Sequence, residues 1–105
     1  VRTWAVRWVE IIKVRTVGEP EFLLVTEVLR DFSAIHKGNQ PVEVKLYHHA
    51  TVESDLCIHL YWESETTSPR KSPMGLRIVE SIGALGVANH SVWIEEVCGK
   101  DEISA

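Results

Sequence analysis

The sequence predicts one α+β domain in the order strand, helix, strand, strand, helix, strand, with an antiparallel sheet carrying both helices on one face. Three observations predict it. Four segments alternate apolar and polar residues at strand period, and two segments between them repeat apolar residues at helical spacing. The polar turn Glu53-Ser54-Asp55 joins the middle two strands too tightly for anything but a hairpin. The chain has 105 residues, 45% apolar and 25% charged, which suits a single globular domain.

Residues 2–16 read as a long strand. Trp4, Val6, Trp8, Ile12 and Val14 share one face, interrupted by Glu10, and Ala5, Val9 and Ile11 stand on the other beside Arg7, Lys13 and Arg15. Both faces are partly apolar, so cover is expected on both sides. Gly18-Glu19-Pro20 breaks the strand and opens a helix over 21–37, with Phe22, Val25, Val28, Leu29, Phe32 and Ile35 as its stripe. Gly38-Asn39 ends it and Pro41 prevents its resumption.

Residues 42–52 and 55–63 alternate cleanly. Val42, Val44, Leu46, His48, Ala50 and Val52 face one way in the first run, and Leu56, Ile58, Leu60 and Trp62 in the second. The proposed register pairs Val52 with Leu56, Leu46 with Trp62 and His49 with His59. A slip of one residue would set apolar against polar throughout, whereas shifts of two residues keep the faces and stay open. After a polar loop, Ser72-Pro73 gives an N-cap and a first-turn proline. The helix over 73–85 carries Leu76, Ile78, Val79, Ile82 and Leu85, and Gly86 is its expected C-cap. Residues 89–97 form the last strand. The domain is expected over 1–98, with 99–105 a polar tail.

The economical packing of this order is a ferredoxin-like βαββαβ sheet with two helices on one face. The opposite face then carries Tyr47, His49, Cys57, His59 and Tyr61 with the apolar residues of strand one. An isologous homodimer would cover it, and would relieve the poor surface-to-volume ratio of so small a domain.

Composition narrows the partners. The net charge of −4, from 11 basic and 15 acidic residues, argues against nucleic-acid binding, which needs a basic footprint. No run approaches the roughly 20 apolar residues of a membrane span. No secretory signal opens the sequence, and Val1 in place of Met reads as trimming or tag removal. Two cysteines, Cys57 and Cys98, are too few for a disulfide framework and read as reduced thiols. The expected location is therefore the cytoplasm.

The segment Leu60-Tyr61-Trp62-Glu63-Ser64, and the strand Ser91-Val92-Trp93-Ile94-Glu95 after a short helix, resemble the dimeric α/β-barrel superfamily, in particular its antibiotic-biosynthesis-monooxygenase-like group. The topology of the resemblance covers residues 2–97, while the motif is about five residues long. The resemblance implies a homodimer with the two sheets face to face and a cleft between helices and sheet in each subunit. Members include cofactor-independent quinol oxygenases, haem-degrading enzymes and proteins without assigned activity. Trp62 corresponds to the pocket Trp of the group. Haem-degrading relatives add an Asn on strand one and a His after the Trp. Strand one here has no Asn and residues 63–86 contain no His, so that triad is not reproduced.

Each candidate residue has a structural and a functional reading. Trp62 is either a core aromatic or a cleft wall that stacks on a planar ligand. His48 is either a hydrogen-bonded buried His or a general base, since imidazole titrates near neutrality. Glu10 marks a bulge or an edge, or is a buried carboxylate beside His48. Trp8 and Phe32 are the further lining residues expected. His49, His59 and Cys57 share a face but lack paired metal-ligand spacing, so no metal is expected. His90 reads as solvated, and Arg70-Lys71 as a solvated charge pair rather than an anion site. Gly83-Ala84-Leu85-Gly86 ends a helix rather than starting one, so it does not cradle phosphate, and no Gly-x-Ser-x-Gly elbow occurs. The functional expectation is a cofactor-free homodimer that binds a small aromatic molecule, with His48 abstracting a proton from a phenol or quinol and Trp62 positioning the ring. The alternative is a non-enzymatic regulatory or interaction module on the same fold.

Overall fold

A computed structural model describes residues 5–16, 22–35, 40–52 and 54–96, except for the side chains of 22–23 and 32–35. Its elements are β1 (Val6–Thr16), α1 (Phe22–Ile35), β2 (Glu43–His48), β3 (Asp55–Ser64), α2 (Pro73–Ile82), a 3-10 turn (Gly83–Leu85) and β4 (Gly86–Ile94). The four strands form one antiparallel sheet in the order β2-β3-β1-β4. This is an α+β arrangement consistent with a ferredoxin-like fold. The expected turn at Gly18-Glu19-Pro20, the cap at Gly38-Asn39 and the tail lie outside the described residues.

Alternation decides the faces. Even-numbered residues of β1 and β3 point to the helices: Trp8, Ile12, Val14, Leu56, Ile58, Leu60 and Trp62 pack with Val25 and Leu29 of α1 and with Met74, Ile78 and Ile82 of α2. At roughly 1.5–3 kcal/mol for each fully buried large aliphatic side chain, this layer drives the fold. Met74, Ile78 and Ile82 lie four residues apart on one helical stripe, whereas Leu76 is off that stripe and half exposed. Leu76 was expected in the core, so this is a correction. The cap of α2 forms as the sequence predicts, with the Gly75 N–H donating to Ser72 Oγ at 2.9 Å and Pro73 at the start of the first turn.

The β2–β3 register differs from every register expected. Leu46 faces Ile58 instead of Trp62, and His48 faces Leu56. Parity is preserved, so the faces are right, but the pairing slides by four residues. The tight turn expected at 53–55 is replaced by a longer loop. His49 Nδ1 accepts from the N–H groups of Thr51 and Val52 at 3.1 and 3.0 Å, and the His49 N–H donates to the Asp55 carbonyl at 2.9 Å. A side chain that satisfies loop backbone groups removes the reason to pair them in a ladder. Val52, expected inside, is 40% exposed as a result.

Two further expectations are corrected. Glu10 is at neither a bulge nor an edge: β1 is a central strand, and Glu10 pairs without interruption with Leu60 on one side and Val92 on the other. The last strand begins at Gly86 rather than residue 89, because α2 stops at Ile82 and one 3-10 turn delivers the chain to the sheet. Gly86 caps the 3-10 turn, its N–H donating to the Gly83 carbonyl, and is also the first residue of β4, while α2 itself is capped at Gly83. A Cβ there would collide with the Arg15 carbonyl, so the close approach of β4 to β1 requires glycine.

Candidate functional site

The site grows from the even face at the Trp62 end of the sheet. Antiparallel pairing sets Trp8 directly opposite Trp62, and the two indoles lie nearly parallel, 6.3 Å between centroids and 13° between planes. That is the offset stack that aromatic quadrupoles favour. Both side chains are almost fully buried, yet among the described residues neither indole Nε1 has a hydrogen-bond partner. A buried donor left unpaired costs roughly 1–3 kcal/mol. Beside the pair, the start of α2 and the loop before it close a cavity of about 250 Å³, with Ser64, Thr67, Arg70, Ser72 and Met74 on its wall.

Glu10 is the next residue inward from Trp8 on the same face, about 7 Å further along the strand. It is completely buried, and Oε2 lies 2.8 Å from His90 Nε2, whose side chain is 6% exposed. His90 is therefore not solvated as expected. Its even position puts it inward with Val92, a signal present in the alternation of the last strand. Gly75 roofs the pair so closely that a Cβ there would collide with Glu10 Oε2. The second oxygen, Oε1, is buried and has no partner among the described residues. A buried carboxyl group with one partnered and one unpartnered oxygen keeps a hydrogen-bonding site unused in the interior.

The structure brings Trp8 and Trp62 together and sets Glu10 behind them. His48 is not with them. It ends β2 opposite Leu56, six residues along β3 from Trp62, or roughly 20 Å at about 3.3 Å per residue. His48 is exposed, with Nδ1 3.1 Å from the His49 carbonyl. The expected pairing of His48 with Glu10 is replaced by His90 with Glu10. The Phe32 side chain lies outside the described residues. Ser64, Ser72, Met74 and Gly75 were not expected at the site, because their positions depend on how α2 meets the sheet.

On the opposite face, Cys57 Sγ is 3.1 Å from His59 Nε2, and His59 Nδ1 is 3.0 Å from the Tyr61 hydroxyl. Burial pushes the Cys57 thiol up despite Lys13, and burial first, then Lys13 and Lys45, hold His59 below its usual range. Both shifts favour neutral thiol and neutral imidazole, which is the wrong state for a cysteine nucleophile. His49 is committed to its loop. Among the described residues no group of three or more His, Cys, Asp or Glu side chains is placed to hold a metal ion. No helix among them is long and apolar enough to cross a membrane.

The class that fold and site define is a small α+β domain with a tryptophan-lined cavity between sheet and helix. Comparison with known proteins gives no match, either to a protein-family model or to a curated protein sequence.

Proposed function

We propose that the chain is a small-molecule-binding homodimer whose ligand is a planar aromatic held against Trp8 and Trp62, with the chemistry of a cofactor-independent quinol monooxygenase. The observation that carries this reading is the stacked pair of buried indoles, Trp8 and Trp62, that line one cavity. A flat aromatic wall of this kind suits the face of a planar ring. Glu10, two residues along β1 from Trp8 on the same face, is the buried carboxyl group behind the tryptophans and takes the role that the sequence suggested for His48. The resemblance of Leu60-Tyr61-Trp62-Glu63-Ser64 to the oxygenase group supports the choice of reaction.

The dimer is supported by the uncovered sheet face. Val9 and Ile11 lie there with Tyr47, Val87 and Trp93, which are 41%, 77% and 59% exposed. A second copy is self-complementary to such a face by symmetry. Light scattering at micromolar concentration tests it, and a monomer would refute it.

One observation favours a second reading, a non-enzymatic binding or regulatory module. The cavity, about 250 Å³, is slightly smaller than the roughly 300 Å³ at which ligand pockets begin. Dioxygen uptake with a panel of hydroquinones and naphthoquinols separates the two. Turnover that disappears in Trp62→Ala and Glu10→Gln, with the far-UV spectrum retained, supports the oxygenase. Calorimetric binding without turnover supports the module, and neither binding nor turnover refutes the cavity as a ligand site.

A further inference from the structure

The hydrogen bonds around the cavity assign its ligand a polarity, and this step rests on the cavity being the ligand site. Ser64 Oγ accepts from the N–H groups of Thr66 and Thr67 at 3.1 and 2.8 Å. Both hydroxyl lone pairs are thereby occupied, and what Ser64 has left to offer is its O–H. Ser72 Oγ accepts from the Gly75 N–H at 2.9 Å, which likewise turns the hydroxyl toward donation. The two indole N–H groups can only donate, and among the described residues they have no partner. Arg70 adds a guanidinium, which has five N–H donors and no acceptor. Glu63 is the lining carboxylate, but it stands on the odd face, with Oε1 3.7 Å from Arg7 Nε. Gln40 and Thr67 offer groups of either kind.

We propose that the cavity selects a planar aromatic carboxylate, with its ring along the indoles and its oxygens taking the Ser64 and Ser72 hydroxyls and the Arg70 guanidinium. A carboxylate has about four acceptor sites and no donor, which matches this wall. Hydrogen bonds to a charged acceptor are roughly twice as strong as neutral ones, so the carboxylate gains most where the site is shielded from water. A neutral alcohol of the same shape brings one hydroxyl and no charge. An ammonium brings only donors and meets Arg70.

The test uses the whole, 15N-labelled protein and three matched probes: 2-naphthoate, 2-naphthalenemethanol and 2-naphthylmethylammonium. Calorimetry gives affinity, and the indole N–H resonances, assigned by single Trp→Phe variants, give location. The expected result is 2-naphthoate binding at least ~10-fold tighter than the alcohol, the size of one good charged hydrogen bond. The ammonium is expected not to bind. The Trp8 and Trp62 indole signals are expected to move on addition of 2-naphthoate, while that of Trp93, which already donates to Ser91 Oγ at 2.8 Å, stays in place. Arg70→Gln, on an exposed loop, is expected to weaken 2-naphthoate by about 10-fold and the alcohol by less than about 2-fold. Equal affinity for the carboxylate and the alcohol, with Trp8 and Trp62 still responding, overturns the polarity and leaves the cavity standing as a ligand site. Movement of Trp93 alone places binding on the other sheet face and overturns both. Binding of none of the three probes overturns both as well.

Discussion

Removing His90 while keeping Glu10 should damage this protein more than removing both. Among the described residues, His90 is the one hydrogen-bond partner of a carboxyl group that is completely buried. His90→Leu keeps the side-chain volume close and leaves both Glu10 oxygens unpaired. Leaving a buried polar group without its hydrogen bond costs roughly 1–3 kcal/mol, and a carboxyl group lies at the upper end. About 3 kcal/mol is therefore expected, out of a total of roughly 5–15 kcal/mol for a domain of this length. With a urea slope of about 1.5 kcal/mol per molar, the unfolding midpoint falls by about 2 M. In Glu10→Leu/His90→Leu the site is apolar and nothing is left unpaired, so stability returns to within about 1 kcal/mol of the parent. Equilibrium urea unfolding followed by tryptophan fluorescence and by circular dichroism measures the cycle. A double variant as unstable as His90→Leu, or a midpoint shift below about 0.5 M in the single variant, would refute the reasoning.

Three other outcomes follow from the same geometry. Gly86→Ala should destabilise by about 1–3 kcal/mol, since its Cβ meets the Arg15 backbone, whereas Gly83→Ala, with open space around it, should be neutral or stabilising by up to about 1 kcal/mol. Paired thermal melts decide this, and equal melting temperatures would count against the described approach of β4 to β1. Ser72→Ala should cost about 1 kcal/mol through loss of the α2 cap, seen as a fall in Tm of roughly 4–8 °C, and an unchanged Tm would show that the cap contributes nothing. His59, held below its ordinary 6.5 by burial and then by Lys13 and Lys45, binds fewer protons in the folded state than in the unfolded one. Its contribution is thus complete above pH 6.5 and is lost as pH falls from there through the lower folded value. Denaturant midpoints compared at pH 7.5 and 5.5 should fall on acidification, and less steeply in His59→Gln. An identical pH slope in the variant would remove His59 from that dependence.

Much of the fold was legible in the residues because strand and helix periods are local. Alternation along 2–16, 42–52 and 55–63 identified which side chains face the helices, and Ser72-Pro73 marked the start of α2. Trp8, Glu10 and Trp62 could be singled out on that basis, since each stands on the inward face of its strand. Register could not be read in the same way. Several pairings of the β2–β3 hairpin share a parity, and the one adopted goes with His49 holding its own loop. That choice carried His48 away from the tryptophans. His90 came to Glu10 because β4 lies beside β1, a contact separated by 80 residues in sequence, and Gly75 came to both through the docking of α2. Sequence by itself determined the faces and the Ser72 cap, which depend on near neighbours. Tertiary structure alone decided which polar groups meet in the interior, because that depends on packing between segments far apart in the chain.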